Sequence, residues 1–117
     1  MIVSRAEAVM DVMDRLIEAG GGTEDGIAEH LAARGVTGTR KDCDLCVLAV
    51  HIVRELRFTP WPLDTVEVYP NDEWTDMPFV SFAWAGMTEV GELRLPPVLN
   101  WLAIDFDQQR FPELEAA

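Results

Sequence analysis

Hydrophobic residues recur at helical spacing in the first third of the chain, where they predict two short helices. A Ser-x-x-Glu capping box begins at Ser4 and an apolar residue follows on every turn, so we expect the first helix over residues 5–19. A run of three glycines ends this helix. The second helix is predicted to begin at a cap, either Thr23 or Asp25, and to end at Gly35.

A longer apolar segment in the middle of the chain predicts a third helix, over residues 40–57, with Thr39 as its cap. Its polar ends favour a buried helix over the alternative of a buried strand. Cys43 and Cys46 would then share one face of the helix. His51 would point about 140° away from Cys46, given 3.6 residues per turn. A proline-rich segment follows and ends the helical region.

The apolar period shortens to two residues after the prolines, and this pattern predicts an antiparallel hairpin. Val66 and Val68 alternate with polar neighbours in the first strand, as Val80 and Phe82 do in the second. Residues 70–78 are predicted to form the connecting loop. The sequence therefore predicts a sheet with one face on the core.

The C-terminal region predicts a third strand at residues 91–95 and a closing helix that follows Pro96 and ends near Gln109. We expect the inward face of this helix to hold six side chains: Val98, Leu99, Trp101, Leu102, Ile104 and Phe106. The predicted fold class is thus α+β, a single domain over residues 1–117 with an N-terminal three-helix unit, a small antiparallel sheet and a C-terminal helix. The same order of elements makes a winged-helix-like topology an alternative.

The net charge of the chain restricts its possible partners more than its composition does. Of 117 residues, 49% are hydrophobic, enough for one compact core, but 21 acidic residues face only 9 basic ones and the net charge is −12. Such a field repels nucleic-acid phosphates and attracts a basic protein. No apolar run approaches the roughly 20 residues of a membrane span, and the N-terminus does not resemble a signal peptide. We expect a cytoplasmic protein with reduced thiols.

The predicted hairpin loop is the most suggestive segment for function, because it gathers three carboxylates around an aromatic and a thioether side chain. Tryptophan is a frequent interface anchor, and carboxylates fit a basic rim on a partner. The expected partner-binding residues are Asp72, Glu73, Trp74, Asp76 and Met77. The alternative is that Trp74 folds inward as a lid over the sheet.

The cysteine pair supports a competing hypothesis, a metal- or thiol-dependent enzyme that uses Cys43 and Cys46. Zinc needs about four ligands, usually in two paired clusters, and the sequence offers one pair. A low-pKa thiolate would be opposed by Asp42 and Asp44. His51 is expected to be a hydrogen-bonded core histidine. We therefore predict no catalytic residues, no cofactor and no metal.

Two stretches carry a resemblance to known proteins. Residues 26–46 run from Gly-Ile-Ala-Glu-His-Leu through Gly-Val-Thr-Gly-Thr-Arg to Cys46, and residues 95–114 run from Leu-Pro-Pro through Asp-Phe-Asp to Phe-Pro-Glu-Leu. They resemble small uncharacterised proteins of actinobacteria and their phages, in which a helix, a loop and a cysteine precede a similar C-terminal helix. The resemblance implies no activity and transfers no functional residue.

Together these features predict a small acidic, non-catalytic interaction protein, a phage or host modulator that binds a basic, nucleic-acid-handling protein. Inhibition by DNA mimicry is one concrete form of this hypothesis. A winged-helix-like regulator is a third possibility beside the thiol or metal enzyme. The many aromatic residues of the second half also allow a homodimer.

Overall fold

The helices and strands of a computed structural model define the fold over residues 2, 4–71, 77–84 and 91–116. Within these residues the chain is α+β, with three N-terminal helices, a three-stranded antiparallel sheet and a C-terminal helix, as the sequence predicts. The elements are α1 (Arg5–Ala19), α2 (Glu24–Ala33), α3 (Val47–Leu56), β1 (Thr65–Tyr69), β2 (Phe79–Ala83), β3 (Gly91–Arg94), α4 (Pro97–Asp107) and a 3₁₀ turn (Pro112–Leu114).

The first two helices begin on the caps that their sequence contains. The Ser4 hydroxyl accepts a hydrogen bond from the Glu7 backbone N–H at 3.2 Å. For α2 the cap is Thr23 rather than Asp25, since the Thr23 hydroxyl accepts from the Gly26 N–H at 3.1 Å. Each side chain satisfies a backbone donor that has no partner within its own helix.

Left-handed glycines end both helices. At the end of α2, Gly35 has a φ of 69° and the Val36 N–H donates to the Leu31 carbonyl, which is the hydrogen bond of a Schellman motif. Val36 is then buried against the core. The glycines after α1 make the same arrangement. These two boundaries follow from local signals and match the sequence prediction.

The third helix is shorter than predicted, because α3 begins at Val47 instead of residue 40. Its cap is the Cys46 thiol, which accepts from the Ala49 N–H at 3.5 Å, and not Thr39. Residues 39–46 form a loop of turns. The prediction that Cys43 and Cys46 share a helix face is therefore wrong.

Long-range hydrogen bonds explain why this loop does not continue the helix. The Gly38 N–H donates to the Leu114 carbonyl at 2.8 Å, which ties the loop to the C-terminal segment. The Val68 N–H donates to the Cys43 carbonyl at 2.8 Å, which ties the loop to the outer edge of β1. The Cys43 carbonyl, which lies within the predicted helix, is thus used between elements and is not available to a helical ladder. Tertiary pairing thus overrides the local preference for helix.

The sheet is an antiparallel meander in the order β1, β2, β3. Val66 pairs with Phe82 and Val68 with Val80, and all four side chains are buried. α3 packs on β1 and α1 packs on β3, so the helices cover this apolar face. The alternation in the sequence is confirmed by this register.

The closing helix α4 begins at Pro97, which occupies its first turn. Its buried stripe contains Leu99, Leu102 and Phe106, as predicted. The sequence predicts Trp101 in that stripe, but its side chain is 59% exposed. At 3.6 residues per turn, position 101 lies on the far side of the helix from position 99. The prediction for Trp101 is therefore wrong.

Substitution of Gly38 tests whether the loop contacts hold the fold together. A Cβ atom at Gly38 would overlap the backbone of Cys46 and Val47. We expect Gly38→Ala to destabilise the protein by about 2 kcal/mol, because the loop must move away from the N-terminus of α3. Thermal unfolding measures this, with Thr37→Ala at the exposed neighbouring position as the control. Equal melting temperatures for the two variants would contradict the packing described here.

Candidate functional site

The predicted partner-binding surface is described in part. Met77 lies within the described structure, and its side chain is 56% exposed. The other members of the surface fall outside the described residues: Asp72, Glu73, Trp74 and Asp76. At the start of this acidic segment the Asn71 N–H donates to the Asn100 side-chain oxygen at 2.7 Å. Because Asn100 is a buried residue of α4, this bond fixes the origin of the segment on that helix.

An exposed tryptophan adjoins this attachment point. Trp101 follows Asn100 directly on α4, and more than half of its side chain is accessible. Sequence reasoning placed Trp101 in the core, although the spacing of Leu99, Leu102 and Phe106 already defines an apolar stripe without it. The described part of α4 therefore carries an exposed aromatic side chain one residue after Asn100, at a position that the sequence analysis did not select.

Two other tryptophans, Trp61 and Trp84, contact an arginine of the same chain. The Arg5 guanidinium carbon lies 4.5 Å from the Trp84 ring centroid and 6.0 Å from that of Trp61. The Arg5 Nε–H also donates to the Pro62 carbonyl at 3.1 Å. This cluster joins the start of α1 to the end of β2 and to the proline-rich segment, so its arginine is engaged within the chain.

Most of the arginines have a partner in the same chain. Arg54 donates to the Gly35 carbonyl at 3.4 Å. Four others form salt bridges: Arg15 with Asp11, Arg34 with Glu55, Arg40 with Glu115 and Arg110 with Asp105. Since acidic residues exceed basic ones by more than two to one, these pairs leave a large excess of negative charge. The surface is consequently poor in cations that contact phosphate.

In a winged-helix arrangement α3 would be the DNA-recognition helix, but most of its side chains are buried in the core. Its buried residues are Val47, Leu48, Ala49, His51, Ile52 and Leu56. A recognition helix must present several side chains to the major groove. α3 does not offer such a face in the described structure.

The two cysteines lie in different environments. The Cys43 sulfur is 3.7 Å from the Glu67 carboxylate and 3.8 Å from the Tyr69 hydroxyl, and that hydroxyl donates to the same carboxylate. Burial raises the pKa of the Cys43 thiol, the Tyr69 hydrogen bond lowers it in part, and the charge of Glu67 raises it further. Burial raises the pKa of Cys46 to about 11. A nucleophilic thiol needs the opposite shift.

Metal-binding side chains do not cluster in the described part of the chain. Over those residues, no three or more histidine, cysteine, aspartate or glutamate side chains converge on a common point. The cysteine pair therefore gains no third ligand from the described structure.

Two carboxyl groups, Glu24 of α2 and Asp105 of α4, influence each other's charge. Burial of Glu24, together with the neighbouring carboxyl group of Asp105, raises the pKa of Glu24 to about 7. The positive charge of Arg110, which forms a salt bridge with Asp105, opposes this shift in part. The sequence analysis did not select this pair, because the two residues come from distant segments. It gives the fold a group that titrates near neutral pH.

A cavity of about 410 Å³ opens among α1, α2 and α3, and Trp61 is one of the residues that line it. Both histidines line it, and His51 is only 4% exposed. The sequence predicts a hydrogen-bonded core histidine at this position. His51 does lie in the core, but its buried Nδ1 has no hydrogen-bond partner in the described structure. Burial lowers the pKa of His51 to about 4, so the ring is neutral at pH 7.

Comparison of the chain with protein-family models, with curated proteins and with solved structures finds no match. None of the helices in the described ranges is both long enough and apolar enough to cross a membrane.

The carboxyl pair makes stability depend on pH in a defined direction. The pKa of Glu24 is raised in the folded state, so protonation of this side chain stabilises the fold. This stabilisation is fully present below the pKa that Glu24 has in the unfolded chain, and it is lost as pH rises through about 7. Glu24→Gln keeps a neutral side chain at every pH. We expect this variant to melt a few degrees above the native protein at pH 8, with a smaller difference at pH 5.

Thermal unfolding at the two pH values measures this difference. Glu29→Gln, an exposed position on the same helix, is the control for general loss of negative charge. A difference between Glu24→Gln and the native protein that stays constant from pH 5 to pH 8 would refute the assignment.

Proposed function

We propose that this chain is a non-catalytic protein that binds a basic protein partner through an acidic surface. The surface comprises Asp72, Glu73, Trp74, Asp76 and Met77, and we add Trp101. The observation that carries the proposal is the Asn71 to Asn100 hydrogen bond beside the exposed Trp101. It relates an acid-rich segment to an aromatic side chain that is not needed for the core.

The chemistry of this surface favours a cationic partner. Aromatic anchors supply apolar contact area in protein interfaces, and a rim of charge sets the choice of partner and the rate of encounter. Met77 and Trp101 provide exposed apolar area, and three carboxylates lie between Asn71 and Met77 in the sequence. The paired arginines elsewhere leave the net charge of −12 to act on a positively charged surface.

A nucleic-acid-handling protein is the partner class that fits best. Its binding site is basic because it contacts phosphates, and a row of carboxylates can occupy the same site. In this form of the proposal the chain is a DNA mimic that acts as a modulator in an actinobacterium or one of its phages. Such a protein works in the cytoplasm and needs no cofactor of its own.

Affinity capture from an actinobacterial lysate tests the proposal. We expect the native protein to retain a basic DNA-binding protein at low salt, and duplex DNA to release it. Trp101→Ala should weaken this binding about tenfold or more, as substitution of a central aromatic anchor does. Changing Asp72, Glu73 and Asp76 together to Asn or Gln should weaken it and reduce its salt dependence.

A matched control is available at Phe58. This exposed aromatic side chain is 93% accessible and follows a basic residue, Arg57, instead of an acidic segment. Phe58→Ala should leave binding unchanged. Equal retention by the Trp101 and Phe58 variants would count against the surface, and a captured protein that duplex DNA does not displace would count against mimicry.

A further inference from the structure

The cavity among the first three helices has mostly apolar walls. Ala8, Val12 and Leu16 of α1 form one side, and Leu56 of α3 and Trp61 face them. Its volume of about 410 Å³ falls within the usual range of small-molecule sites. The cavity thus has both the size and the apolar lining of a ligand site.

The polar group that distinguishes this cavity is the imidazole of His51. Its side chain lines the cavity while more than nine-tenths of the residue is buried, and the imidazole ring has no hydrogen-bond partner in the described structure. Buried polar atoms are nearly always hydrogen-bonded, because an unmet bond costs free energy. A ligand that supplies the missing hydrogen bond would remove this cost.

The charged residues around the cavity indicate the charge of the ligand. Arg15 is 2.8 Å from Asp11, and Arg34 is 2.6 Å from Glu55, so each cation at the cavity already has its anion. A charged ligand would have to compete with one of these salt bridges. An uncharged molecule binds without disturbing either pair.

We propose that this cavity is a binding site for a small uncharged molecule, mostly apolar, that carries one hydroxyl group hydrogen-bonded to His51. The apolar walls take the body of the ligand, and the imidazole orients its hydroxyl group. This inference is independent of the acidic surface, since it rests on residues of α1, α2 and α3 and on Trp61.

Titration with a matched set of probes tests the proposal. The probes are 2-naphthol, naphthalene, which lacks the hydroxyl, and 2-naphthoate, which carries a charge. Binding is followed by NMR, together with the imidazole nitrogen resonances of His51. We expect 2-naphthol to bind about tenfold more tightly than naphthalene, as one added hydrogen bond allows. It should also bind more tightly than 2-naphthoate, and it should shift an imidazole nitrogen resonance of His51.

Two variants locate the interaction. His51→Phe should bind naphthalene and lose the preference for 2-naphthol, whereas His30→Phe, at the other histidine of the cavity, should keep that preference. Equal affinity of the native protein for 2-naphthol and naphthalene, or unmoved imidazole nitrogen resonances of His51, would overturn the proposal. The resonances are measured on the native protein, so the test holds even if His51→Phe fails to fold.

Discussion

The pairing of the loop at residues 38–46 with distant backbone is the constraint on which the rest of the structure depends. Through Gly38 the loop holds the C-terminal segment, and through Cys43 it holds the outer edge of β1. With these hydrogen bonds in place, α3 begins at Val47, and this start point determines which of its side chains face α1 and α2. The two cysteines lie in different environments for the same reason, because Cys43 belongs to this loop and Cys46 caps α3.

The large negative charge of the chain does not determine this fold. Arginines that could recruit phosphate are held by carboxylates, by a carbonyl or by tryptophan rings within the chain. The core satisfies its apolar requirement without Trp101 or Met77. In the described structure Trp101 is therefore left exposed on α4, the same helix that holds the Asn71 backbone through Asn100.

Sequence reasoning succeeded where structure is set locally. The caps at Ser4 and Thr23, the glycine stop after α2 and the alternation in the strands each depend on a few neighbouring residues. It failed at the start of α3, because the decisive hydrogen bonds come from residues far along the chain. The carboxyl pair on α2 and α4 and the unpaired nitrogen of His51 are likewise products of tertiary packing. Trp101 differs, because the stripe on α4 already excluded it.

The central claim is that the face of α4 around Trp101 contacts a basic protein. Photo-crosslinking from a benzophenone side chain placed at position 101, compared with the same group at position 58, tests it most directly in living cells. The account predicts an adduct with a basic, nucleic-acid-handling protein from position 101 and none from position 58. No adduct at position 101, or the same adducts from both positions, would contradict it.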